Sequence, residues 1–200
     1  MARPRLHDDT LRARLLAVAT EAISDGGAAA VTVRDVARRA GTSSSAVYSL
    51  FGGREALVRA VGDDAFDRFA ARLAAVPRSG DPAADLLALG LAYRTHALDE
   101  PQVYRVMFST AGAGAQDPGR QAAADSASFA ALRDAVAAVL GTGSDPQEPA
   151  LALWALVHGL VELELDGLLP GDEVARTTRY AAVLRAAGPG VLGAAAASPR

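Results

Sequence analysis

Two hundred residues, half of them hydrophobic but only 5% aromatic, suffice for one or two small domains with a substantial core. There is no cysteine and all 20 basic residues are arginine, which excludes disulfides, thiolate zinc sites, thiol nucleophiles, Schiff-base lysines and the lysine-bearing phosphate loop. The net charge of −3 is unevenly spread: residues 1–60 hold nine Arg against six Asp and Glu, residues 61–200 eleven against seventeen, the asymmetry expected when one end meets phosphate.

Ala and Leu dominate, β-branched runs are few, and no alternating stretch is bounded by hairpin turns, so an all-α fold of about nine helices is expected. The polar start, Met1–His7, lacks the apolar run of a secretory signal, and no apolar stretch is long enough to span a bilayer. A cytoplasmic protein without membrane association is the expectation.

The first helix is predicted over about Asp9–Asp25, with Leu11, Leu15, Val18, Ala19, Ala22 and Ile23 at helical spacing and Gly26-Gly27 ending it. Thr32-x-x-Asp35 opens a second, short helix as a capping box, and Gly41 closes it. Ser43 caps a third that ends near Leu50 before Gly52-Gly53. A long amphipathic helix then runs from Arg54 to Val76. Asp81-Pro82 starts the next, to about Asp99, and Pro101 opens a short one through Phe108. Residues 109–120 have loop composition; further helices are expected at Gln121–Leu140, Pro146–Leu168 and Gly171–Ala187, then a disordered tail over 188–200.

Thr32–Phe51 is the informative segment. Two helices of seven or eight residues joined at Gly41 suit a steep crossing, with Val36, Ala37, Ala40, Val47, Leu50 and Phe51 as their shared core. Ser43, Ser44, Ser45, Tyr48 and Ser49 then face outward, a short polar surface able to enter a major groove. Ser43 reads first as a helix cap, and a packing aromatic is the alternative for Tyr48. Arg54, at a helix N-terminus, is placed to meet a phosphate. Arg34 and Arg38 are phosphate ligands or solvated, and Arg3, Arg5 and Arg12 form a minor-groove arm or a solvated terminus.

Thr32-Val33-Arg34-Asp35-Val36-Ala37-x-x-Ala40-Gly41-x-Ser43, Val47-Tyr48-x-x-Phe51 and Arg54-Glu55-Ala56-Leu57 together resemble the TetR family of one-component bacterial regulators, over about residues 9–60. The resemblance implies a helix-turn-helix domain over 1–53 and a helical ligand-binding and dimerisation domain over 54–187. It implies phosphate contacts from Thr32, Tyr48 and Arg54, base reading around Ser44, Ser45 and Ser49, and a DNA-facing set completed by Val33, Arg34, Thr42, Ser43 and Ala46. Two departures stand out. Gly52 replaces a frequent Pro, and Ser44 and Ser45 stand where Lys and Gly, or larger polar residues, are common.

Trp154-x-x-x-His158-Gly159, with Pro101-x-x-Tyr104-x-x-Met107-Phe108, resembles the tryptophan–histidine–glycine subfamily of TetR C-terminal domains. That resemblance implies a ligand cavity between helices and a homodimer through the last two long helices. Tyr93, His96, Tyr104, Met107, Phe108, Phe129, Trp154 and His158 are the candidates for lining the cavity, against core packing for any one of them. Trp154, His158 and Glu162 share a helix face, while Glu162 and Glu164 are candidates for bordering the dimer seam. The three histidines are scattered, so no metal cluster is expected, and no catalytic motif or cofactor loop is found.

The function implied is a ligand-responsive regulator, a repressor that binds a palindromic double-stranded operator as a homodimer and is released by a small, largely apolar effector. A helical ligand-binding or scaffolding protein without specific DNA binding is the alternative.

Overall fold

The computed structural model of the protein describes residues 5–113 and 127–196, with side chains described over 8–109 and 127–193. Among the described residues there are nine α-helices and no strand: α1 (Arg5–Gly26), α2 (Val33–Arg39), α3 (Ser44–Phe51), α4 (Arg54–Ala74), α5 (Pro82–Asp99), α6 (Pro101–Ala113), α7 (Ala127–Leu140), α8 (Gln147–Leu165) and α9 (Glu173–Ala196). A single 3-10 turn, Ala28–Ala30, lies between α1 and α2. The helices form two compact units, with the division falling inside α4 between Phe66 and Asp67.

The first unit holds α1, α2, α3, the start of α4, and α6. The apolar stripe foreseen for α1 is buried at Leu15, Ala19, Ala22 and Ile23. It meets α2 and α3 through Val36, Ala37, Ala40 and Val47, all buried, whereas Leu50 and Phe51 are only half-buried. Helix α6 also packs on α1, and its Val103, Tyr104 and Met107 are fully enclosed. Tyr104 lies 4.8 Å from the ring of Phe108, which meets Phe66 edge-on at 5.4 Å.

The second unit holds the end of α4 with α5, α7, α8 and α9. Helix α5 packs on α7, α8 and α9, and one core cluster gathers Phe129, Val136, Ala150 and Leu153. Asp81 caps its helix as expected, accepting from the Ala83 and Ala84 N–H groups, and at the entry to α9 Asp172 accepts from the Ala175 N–H.

Helix α9 departs from expectation. It continues through Pro189 to Ala196, where a disordered tail over 188–200 is predicted from the Gly-, Ala- and Pro-rich composition. Proline removes one helical hydrogen bond and crowds the preceding turn. Here Val191 and Leu192 pack against the Phe129–Leu153 cluster, and that burial outweighs the local cost. Residues 197–200, and most of the segment expected as a loop after α6, lie outside the described residues; α6 itself extends to Ala113, past the expected end at Phe108.

Candidate nucleic-acid interface and effector region

Helix α2 starts at Thr32, whose Oγ1 accepts from the Asp35 N–H at 3.2 Å. Only this half of the capping box forms. The Asp35 carboxylate instead accepts from Arg38 at 2.5 Å and lies 3.9 Å from Arg39. The helix closes in a Schellman arrangement: Gly41, at φ 65°, donates to the Arg38 carbonyl, and the Thr42 N–H reaches the Ala37 carbonyl at 2.9 Å. That tight close lets α3 begin two residues later. Ser43 is its N-cap, accepting from the Ala46 N–H at 3.2 Å, so its hydroxyl is occupied as a cap.

With α3 anchored by buried Val47, its outer face carries Ser45, Tyr48 and Ser49, all exposed, flanked by half-buried Ser44 and Ala46. Tyr48 is 57% exposed, which removes the packing-aromatic alternative. It lies against Gly53, where a Cβ would sit 3.6 Å from its ring. Thr32 and Arg34 are exposed, while Val33 and Thr42 are half-buried. Gly52 ends α3 at φ 84°, a conformation that the proline ring forbids.

The arginines of this unit are held in different ways. Arg39 donates to Glu21 at 2.7 Å and Arg38 to Asp35, so both are paired within the chain. Arg54 directs Nε to the Val31 carbonyl at 2.8 Å and Nη2 to the Ala28 carbonyl at 2.6 Å, a backbone clamp rather than a free cation. Arg12 lies over the Phe51 ring at 5.0 Å, so its charge is held beside the end of α3. Arg3 and the side chain of Arg5 lie outside the described residues.

The effector candidates separate by unit. Tyr104, Met107 and Phe108 belong to the first, packed with Phe66. The second gathers the others: Tyr93 Oη lies 3.1 Å from His158 Nδ1, Trp154 is 6.3 Å from the His158 ring, and Phe129 is 5.7 Å from Trp154. Phe69 completes the group, stacked on His96 at 4.8 Å and edge-on to Tyr93 at 5.1 Å. Burial holds His158 below its ordinary pKa, opposed by the nearby Glu162 carboxylate. Trp154 and His158 are half-buried, whereas Tyr93, His96 and Phe129 are buried.

Glu164, a candidate for bordering a dimer seam, is instead buried among helices of its own unit. Its side chain is 4% exposed and accepts a two-pronged bond from Arg94, at 2.7 and 2.6 Å, with Arg176 adding a third at 3.1 Å. Arg94 also lies 5.7 Å from the centre of the Tyr180 ring, whose hydroxyl donates to the Gly90 carbonyl. The Arg94 bonds hold the Glu164 carboxyl below its usual range. The network ties α5, α8 and α9 together and was not anticipated. Its signal was nonetheless present: Arg94 continues the stripe Leu86, Gly90, Ala97, and Glu164 the stripe Val157, Val161, so both charges fall on buried helix faces.

Residues 15–61 match the family model for bacterial regulatory proteins of the tetR family, and residues 86–187 that of the tetracyclin repressor-like C-terminal domain. The chain belongs to the TetR family. It is therefore a regulator and not an enzyme. Among solved structures, a Rhodococcus sp. RHA1 protein of unknown function aligns with TM-score 0.72 and 28% identity, over 93% of this chain and 95% of that one. A TetR-family transcriptional regulator from Pectobacterium atrosepticum aligns with TM-score 0.66 and 22% identity, over 99% and 100%. RolR in complex with resorcinol gives 0.61 and 18%, over 98% and 97%. No curated protein matches. Among the described residues of this TetR-family chain, no helix is long and apolar enough to cross a membrane, and no group of three or more His, Asp and Glu is placed to hold a metal.

Proposed function

We propose that this TetR-family protein is a repressor that binds a palindromic operator as a homodimer and leaves it when a small, largely apolar molecule binds the second unit. The observation that carries the reading is the exposed face of α3, where Ser45, Tyr48 and Ser49 project from a helix held by buried Val47. The serines read base edges, Tyr48 and Thr32 contact phosphates, and Arg34 adds an exposed charge. Two copies would present their α3 helices about 34–36 Å apart, or a related spacing, along one face of the duplex.

Support for a dimer through α8 and α9 comes from their large exposed apolar side chains, Leu151 and Leu163 on α8 and Val174 on α9. The effector region is the Tyr93, Phe129, Trp154 and His158 group, whose aromatic walls and single Tyr–His polar pair suit a small aromatic compound. RolR, which shares the fold, binds resorcinol, and a phenol of that size is the first class to screen. Effector binding would shift the population toward a conformer with misplaced α3 helices, through α4, which carries residues of both units. The intramolecular pairing of Arg38, Arg39 and Arg54 favours a second reading, a ligand-binding protein with no specific DNA site.

The deciding experiment is fluorescence anisotropy with DNA flanking the protein's own gene against scrambled DNA, across a salt series. Saturable, sequence-dependent binding that weakens with salt and is lost in Tyr48→Ala establishes the repressor reading. A folded dimer that binds neither DNA at any salt rejects it in favour of the ligand-binding reading.

A further inference from the structure

We infer that Arg54 is a positioning residue for operator recognition: it acts by clamping the α1–α2 connection, and not by holding a DNA phosphate. The inference rests on the DNA-binding reading above. Nε and Nη2 form one of the two edges of a guanidinium that can chelate two oxygens side by side. In this protein that edge is taken by the Val31 and Ala28 carbonyls at 2.8 and 2.6 Å. A phosphate would have to displace them or bind end-on at Nη1 and the second Nη2 hydrogen, with the clamp still closed.

The clamped segment is built to be held. Gly26 approaches so closely that a Cβ there would lie 2.9 Å from Ala30, and Gly27 turns the chain at φ 70°. Ala28 already accepts the Val31 N–H at 3.3 Å, and Val31 is fully buried. The residue after Val31 is Thr32, the N-cap of α2 and an exposed candidate phosphate contact. On the other side, Arg54 is the first residue of α4, reached from α3 through Gly52 and Gly53. One side chain thus links the start of α4 to the start of α2 and brackets the whole reading head. A lysine carries the same charge but is a point donor without the planar fork.

The test uses the full-length protein as wild type, Arg54→Lys and Arg54→Gln, with operator affinity measured by anisotropy across a salt series. Both variants are expected to bind about tenfold more weakly at every salt concentration, with the logarithmic salt slope unchanged. A slope reduced by about 0.9 per lost contact in Arg54→Gln, with affinity restored in Arg54→Lys, identifies a phosphate ligand and overturns the inference. Unchanged affinity in both overturns it as well, as does failure of both variants to fold, which makes the clamp purely structural. Amide hydrogen exchange without DNA separates this from failure of the DNA-binding reading itself. Residues Val31–Val36 should exchange faster in Arg54→Lys while Leu15–Ile23 stay protected, and equal exchange in both segments refutes the clamp.

Discussion

Replacing Glu164 by Gln keeps the shape of the side chain and removes the charge that compensates Arg94. In the folded protein both Glu164 oxygens accept from Arg94, and Oε1 accepts from Arg176 as well, with side-chain exposures of 4% for Glu164 and 7% for Arg94. A glutamine retains one acceptor and turns an NH2 toward a guanidinium. Removing one partner of a buried pair costs about 3–5 kcal/mol. The low end is expected, because Arg176 is 33% exposed and can turn to water. For a chain of this size each kcal/mol moves Tm by about 2–4 °C, so a fall of about 6–12 °C is expected at fixed protein concentration. Because the cost comes from the orphaned arginine, Arg94→Met combined with Glu164→Leu should recover most of it. Thermal and urea melts of Arg94→Met, Glu164→Leu and the double variant close the cycle, with Glu164→Gln measured beside them. A loss under about 1 kcal/mol in Glu164→Gln, or a double variant as unstable as the sum of its parts, would refute the reasoning.

Titratable groups also set the acid limb of stability. His158, held low by burial, and Glu164, held low by Arg94, both contribute stability that is full above their ordinary values of 6.5 and 4.5 and lost as pH falls through their lowered values; urea midpoints should decline first with His158 and again in the carboxylate range, and Glu164→Gln should shrink that lower step, to which Asp85, held low by Ser79, also contributes. Gly52→Pro should cost about 3 kcal/mol or more, since φ is 84° and the Gly52 N–H to the Tyr48 carbonyl at 2.8 Å would be lost; a melt unchanged from wild type contradicts that backbone conformation. Ser43→Ala should lower stability by about 1 kcal/mol through the lost cap on Ala46, measured by urea titration, whereas Ser49→Ala should leave it within about 0.5 kcal/mol.

Local order in the reading head was legible because the groups that decide it are near neighbours in sequence. Thr32 and Ser43 as caps, Gly41 as the closing residue and the buried quartet Val36, Ala37, Ala40 and Val47 each follow from spacing within a few residues. The capping box was half right for a physical reason. An aspartate at that position reaches back only if nothing better is close, and Arg38, one turn on, was closer.

By itself the sequence determined that the chain is helical, where most helices start and stop, which face of α3 points outward, and which family the segment Thr32–Leu57 resembles. Those are matters of periodicity, capping and turn chemistry, whose interactions span about five residues or fewer. Tertiary structure alone decided the rest. Arg54 meets carbonyls 23 and 26 positions earlier, Arg94 meets Glu164 across 70, and Tyr93 meets His158 across 65. It also carried α9 through Pro189, because Val191 and Leu192 found the Phe129 cluster. Charge partners and burial are set by which helix faces come together, and no local pattern encodes that choice.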